Sequence, residues 1–193
     1  MTDLIRSTVD PQASGCVQPA VFARYGRASR RLHWLMAGLV ILAYLLIEGR
    51  GWFPKASLLR TLFIQGHFWV GLLVLALVLP RVLARLRSPA PLVHPPLTPL
   101  VQMASRLTHV ALYGFLLLQP LMGLAIVLLE RGGIPLGSLT ITSPFALNKP
   151  LAHSIEAAHV VVGTAFYYVI GIHIAAALWH HFYRRDTVLK RML

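Results

Sequence analysis

Four long stretches without a charged side chain divide this sequence, and they decide what it can fold into. Between Arg31 and Glu48 lie 16 residues free of Asp, Glu, Lys and Arg; Arg60 to Arg81 encloses 20, Arg106 to Glu130 encloses 23, and Glu156 to Arg184 encloses 27. A helix needs about 20 apolar residues to cross the hydrocarbon of a bilayer, within a range of roughly 17 to 25. Lipid offers no partner to a free backbone amide, so only helices and closed barrels can span it. The alternating ten-residue strands of a barrel are absent. The first window is short, but Arg31 and Glu48 can snorkel to the two interfaces. The expected fold is an all-α membrane protein, an up-down bundle of four transmembrane helices covering about 28–48, 61–86, 101–130 and 152–184.

Charge then orients the bundle. The formal net charge of +12 would suit nucleic acid, but its distribution points elsewhere. With the amino terminus inside, the inner segments hold 13 of the 18 Lys and Arg residues: Arg6, Arg24, Arg27, Arg30, Arg31, Arg81, Arg85, Arg87, Arg106, Arg184, Arg185, Lys190 and Arg191. The outer loops hold the remaining 5: Arg50, Lys55, Arg60, Arg131 and Lys149. That bias follows the positive-inside rule and puts both termini in the cytoplasm. The basic surplus is thereby assigned to topology and to contact with anionic membrane lipid, not to nucleic acid.

The remaining segments are connections. Residues 1–24 mix Asp, Ser, Thr, Pro and Gln without an apolar run; they read as a disordered cytoplasmic tail and lack the core of a signal peptide. The membrane domain is residues 25–193. Ser88–Leu100 contains five prolines and is expected to be an extended, structureless inner linker. Pro80 and Pro120 are candidate bends. The outer loop 131–151 is rich in Gly, Pro, Ser and Thr. Cys16 is the single cysteine, so no internal disulfide forms, and the lack of C-x-x-C-H excludes covalently attached haem.

Chemistry rests on the nine histidines. His94, in the proline linker, and His153, at the outer start of the fourth span, read as ordinary interface residues. The others fall in or at the ends of the apolar windows, where ionisable groups are costly and mark function. Topology sorts them into an outer layer, His67 and His159, and an inner layer, His33, His109 and His173. His159 and His173 are fourteen residues apart, which is about 21 Å of helical rise and about 40° short of four whole turns. One face of the fourth helix therefore carries both, at two depths. Two planar cofactors stacked across a bilayer require that arrangement.

Pairing follows from position. His67 and His159 form the outer pair. His173 pairs with His33 or His109, and small residues favour His33: Ala37 and Ala177 lie one turn after His33 and His173, as Gly71 and Gly163 do after His67 and His159, whereas Tyr113 follows His109. His109 is then a residue beside the inner cofactor. Two imidazoles without carboxylate or thiolate are too few ligands for zinc or copper, but they suit the axial positions of a low-spin b-type haem. His180 lies within about 20° of the His173 stripe and can either bond a quinone carbonyl or sit at the interface.

These residues resemble the bacterial cytochrome b561 family, and within it the small four-helix di-haem superoxide oxidases. The resemblance runs from about Tyr25 to the carboxyl terminus. It rests on Arg31-Leu32-His33-Trp34, on Glu48-Gly49-Arg50-Gly51-Trp52-Phe53-Pro54, on the run Gly171 to His181, and on the His159–His173 spacing. The tail before Arg24 departs from the short family form. The resemblance implies two haem b groups, an inner one between helices 1 and 4 and an outer one between helices 2 and 4. It also implies a bacterial inner-membrane enzyme passing electrons from an outer one-electron donor, superoxide in those members, to membrane ubiquinone. Arg50, Lys55 and Arg60 would steer such an anion, since a focused positive field raises encounter rates; lipid phosphates are the competing use. The alternative is a membrane anchor relaying electrons for a separate dehydrogenase or hydrogenase subunit, although the outer loops are short for docking a large protein partner. An ion transporter is disfavoured, because no acidic residue lies mid-membrane to accompany a cation.

Overall fold

A computed structural model describes residues 24–87, 91–136 and 139–193. The expected tail 1–24 lies outside the described residues except for Arg24. Four helices dominate: α1 (Arg27–Gly49), α2 (Leu58–Arg87), α3 (Pro99–Arg131) and α4 (Lys149–Phe182), and each is long and apolar enough to cross a membrane. The helix ends differ from expectation where capping chemistry adds a turn. Pro99 and Pro150 stand in the first turns of α3 and α4, where a missing N–H is no loss. Asn148 caps α4 by accepting from the Leu151 amide over 3.1 Å. Pro80 and Pro120 lie inside α2 and α3, which continue through them.

The connection between α3 and α4 holds structure the sequence did not announce. Strands β1 (Gly133–Leu136) and β2 (Leu139–Thr142) pair antiparallel as a small hairpin. A Cβ on Gly133 would stand 2.6 Å from the Ile141 carbonyl, so only glycine permits this approach. Residues 91–98 of the proline linker have no regular secondary structure, as expected, whereas Pro99 and Leu100 open α3; the linker is nonetheless docked. The His94 amide donates to Thr187 Oγ1 at 3.1 Å, and the Thr187 amide donates to the His94 carbonyl at 3.2 Å.

Packing is uneven in a way that matters for the site. Helices α1 and α2 pack together, α2 packs on α3, and α3 packs on α4, but α4 makes no close backbone approach to α1 or α2. The tight α1–α2 contact runs through Gly49, where a Cβ would meet the Phe63 ring at 2.6 Å. Met36, Val74 and Val78 form the buried core, backed by Leu39, Leu77, Val82 and Leu116. Large apolar side chains such as Leu45, Leu79, Val110 and Ile172 face outward. An apolar exterior of this extent belongs in lipid.

Both ends are closed by polar contacts. At the end carrying the termini, Trp34 Nε1 donates to the Met192 carbonyl at 2.9 Å and Arg30 bonds the Leu193 carbonyl. The guanidiniums of Arg85 and Arg191 lie over the Tyr25 ring, at 5.0 and 5.6 Å. At the hairpin end, α1 runs into a short 3-10 turn, Arg50–Trp52.

Candidate functional site

Each histidine of the outer pair sits half-buried on the inward side of its helix. The rings of His67 and His159 are 6.2 Å apart, although the backbones of their helices make no close approach. His67 Nδ1 lies 2.8 Å from the Ala43 carbonyl. A carbonyl can only accept, so Nδ1 carries the proton, and the Nε2 of the neutral ring keeps its lone pair. This is how a ligating imidazole is oriented from behind. His159 Nδ1 is buried without a hydrogen-bond partner in the structure. Its backbone carbonyl accepts from Gln119 Nε2 at 3.0 Å, which fixes the helix segment bearing it. Gly71, one turn beyond His67, faces open space, and Gly123 would set a Cβ 3.7 Å from the His159 ring.

His33, His109 and His173 form a second group toward the opposite end of the bundle. His109 and His173 have ring centres 5.6 Å apart. His33 instead turns to Arg81, whose Nη2 is 3.0 Å from His33 Nδ1. The structure thus brings His109 beside His173, and it ties His33 to a cation. His33 and His173 are half-buried, whereas His109 is exposed and anchored on its own helix by Nδ1 to the Ser105 carbonyl at 2.6 Å. His94 and His153 are exposed.

Sequence reasoning missed four residues. Gln119 is buried behind His159. Tyr44 Oη donates to the Gly163 carbonyl at 2.8 Å, one turn past His159, and its ring lies 4.4 Å from that of Tyr167. Tyr167 Oη donates to Glu48 Oε1 at 2.9 Å. These two tyrosines bridge α1 and α4 where the backbones stay apart. Asp186 is the fourth. Arg185 takes a left-handed φ of 53°, which turns the chain back so that Asp186 reaches His180 Nδ1 at 2.5 Å. His180 is therefore buried against a carboxylate and is not a free interface residue. The one signal in the sequence was that Asp186 is the only acid in a basic terminal segment.

The cations assigned to anion steering gather at the hairpin end. Arg60 Nη1 donates to the Arg50 carbonyl at 2.9 Å, Arg50 is half-buried, and Lys55 is exposed on the α1–α2 turn.

The donor set fits a haem better than a bare ion. Among the described residues no three His, Cys, Asp or Glu side chains gather to hold a metal. A planar macrocycle held between two imidazoles would span a wide gap between the helices that carry them. Such a span suits helices held apart, as α2 and α4 are, and α1 and α4. The His109 and His173 rings stand 5.6 Å apart on α3 and α4, which pack directly.

Comparison with known proteins gives one consistent picture. The model of the prokaryotic cytochrome b561 family matches residues 24–193. A Yersinia pestis protein named probable superoxide oxidase CybB is 32% identical over 162 residues, covering 84% of this chain and 91% of that protein. Two Escherichia coli K12 proteins, cytochrome b561 homologs 1 and 2, are each 30% identical, over 171 and 178 residues. Both alignments cover 88% of this chain, with 97% and 91% of the respective relatives.

Proposed function

Because the chain belongs to the prokaryotic cytochrome b561 family, a family of membrane electron-transfer cytochromes carrying haem b, we propose that it is a di-haem superoxide:ubiquinone oxidoreductase of the bacterial inner membrane. The observation that carries the proposal is the facing of His67 and His159 from two helices whose backbones stand apart, with His67 Nδ1 engaged on the Ala43 carbonyl. Bound haem supplies one-electron transfer between its two oxidation states. What the chain adds is position, orientation and field.

His67 and His159 hold the haem at the hairpin end, which we read as the outer face. His33 and His173 hold the second, at the end carrying the termini, which we read as cytoplasmic from the positive-inside bias. The separation of α1 from α4 supports His33 over His109, because a macrocycle needs a gap between the helices that ligate it. His109 then borders the inner haem from α3. His67 and His159 would hold the haem between them, and the bound haem would supply a one-electron acceptor to the donor at its edge. Arg50, Lys55 and Arg60 draw an anion to that edge.

The reaction balances as follows. Two superoxide anions each lose one electron and leave as dioxygen. Ubiquinone takes up the two electrons and two protons and leaves as ubiquinol. We read His180, held by Asp186, as the residue that bonds a quinone carbonyl or passes it a proton. The Yersinia pestis relative's name, probable superoxide oxidase, supports superoxide as the donor.

The test is direct. Purified protein should show a reduced-minus-oxidised b-type spectrum with two haems per chain, and pulsed superoxide should reduce it rapidly in stopped flow. Reduction no faster than that of an unrelated bis-histidine cytochrome would remove superoxide as substrate and favour an anchor relaying electrons from a separate dehydrogenase.

A further inference from the structure

Arg81 is a cation in an unusual place. It lies on α2 within a helix long and apolar enough to cross the membrane, near the buried Val78 of the core. Its Nη2 is 3.0 Å from His33 Nδ1, and its guanidinium sits 5.5 Å from the centre of the Tyr113 ring. Its Nε is buried with no hydrogen-bond partner. No carboxylate balances the charge among the described residues: the ion pairs there belong to Asp186, with His180 and Arg184, and Glu48, Glu130 and Glu156 lie at the opposite ends of their helices. A guanidinium cannot shed its proton, and leaving such a charge without a counter-ion in an apolar span is costly.

The contact with His33 sharpens the problem. Arginine only donates, so His33 Nδ1 accepts from it, and in the neutral ring the proton then resides on Nε2. An axial ligand needs the reverse, an Nε2 lone pair with the proton on Nδ1. Once His33 ligates iron, Arg81 loses this acceptor and two of its donor groups require another. Haem b brings its own anions, two carboxylate side chains on the ring.

We propose that Arg81 is the counter-cation for a carboxylate of the inner haem, releasing His33 as the haem enters and pairing with the carboxylate instead. The inference rests on His33 and His173 as the inner ligands. A planar guanidinium matches a carboxylate with two parallel hydrogen bonds, and Nε with Nη2 offers such a fork. The charge also sets the potential: a cation beside the haem favours the reduced, less positive iron.

The experiment is a spectroelectrochemical titration of the full-length, haem-loaded protein, in the parent and in Arg81→Gln and Arg81→Lys. The inner wave is first identified as the one lost in His33→Ala. In Arg81→Gln that wave should move to lower potential, the ratio of reduced to oxidised haem at a fixed potential falling about tenfold, or about 59 mV for a one-electron couple. The outer wave should not move, and Arg81→Lys should restore most of the shift. An inner wave unmoved in Arg81→Gln would overturn the proposal and leave the cation to a lipid phosphate or to Tyr113. Should Arg81→Gln shed the inner haem, the lysine variant decides: retention near the parental potential upholds the pairing, and loss overturns it. If His33→Ala keeps both waves, the ligand assignment itself fails, which is distinguishable from failure of the Arg81 pairing.

Discussion

The carboxylate of Asp186 lies 2.5 Å from His180 Nδ1, and both residues are buried. The other oxygen of Asp186 accepts from the Val188 amide at 3.0 Å, so one side chain joins the end of α4 to the terminal segment. A hydrogen bond to a charged group contributes about 1.5–3 kcal/mol. Asp186→Asn should therefore lower stability by an amount of that order, read as an earlier thermal loss of the haem spectrum. If His180 also serves the quinone, ubiquinone reduction should slow in this variant at unchanged haem content. Unaltered melting would mean that the contact contributes nothing to the fold.

His67→Ala and His159→Ala should each remove the outer haem and spare the inner one. The other described histidine at the hairpin end, His153, is exposed near the start of α4 and reads as an interface residue. Haem per chain, measured by the pyridine haemochrome spectrum, should drop to about half in either variant. Two retained haems with unchanged spectra would show that the pairing is misassigned.

The inner layer makes a sharper comparison. His33→Ala should lose the inner haem, and His109→Ala should keep it with at most a shifted potential. The reason is that α3 packs directly on α4, whereas the backbones of α1 and α4 stand apart. The 5.6 Å approach of His109 to His173 supplies the opposing expectation, and the opposite pattern of haem loss would establish it.

Replacing Arg50, Lys55 and Arg60 together by Gln should slow haem reduction by superoxide roughly tenfold, the low end of what steering achieves, with haem content unaltered. Added salt should slow the parent in the same manner, since screening cuts the reach of the field to about 10 Å at 0.1 M. A rate insensitive to both would point to a neutral donor.

What the sequence determined by itself was the fold class and the depth of each histidine. Charge-free windows of membrane length admit only spanning helices, and helical arithmetic puts His159 and His173 on one face at two depths. Those are local properties, carried by spacing along a single chain. The hairpin 133–142 escaped notice because its signal is a close approach of Gly133 to Ile141, not a pattern of apolar residues. Tertiary structure decided the rest. Only packing reveals that the α4 backbone stands away from α1 and α2, that Arg81 has His33 and, among the described residues, no carboxylate for company, and that Arg185 turns Asp186 onto His180. Each is a relation between residues distant in sequence or set by a single backbone reversal, and neither periodicity nor composition encodes it.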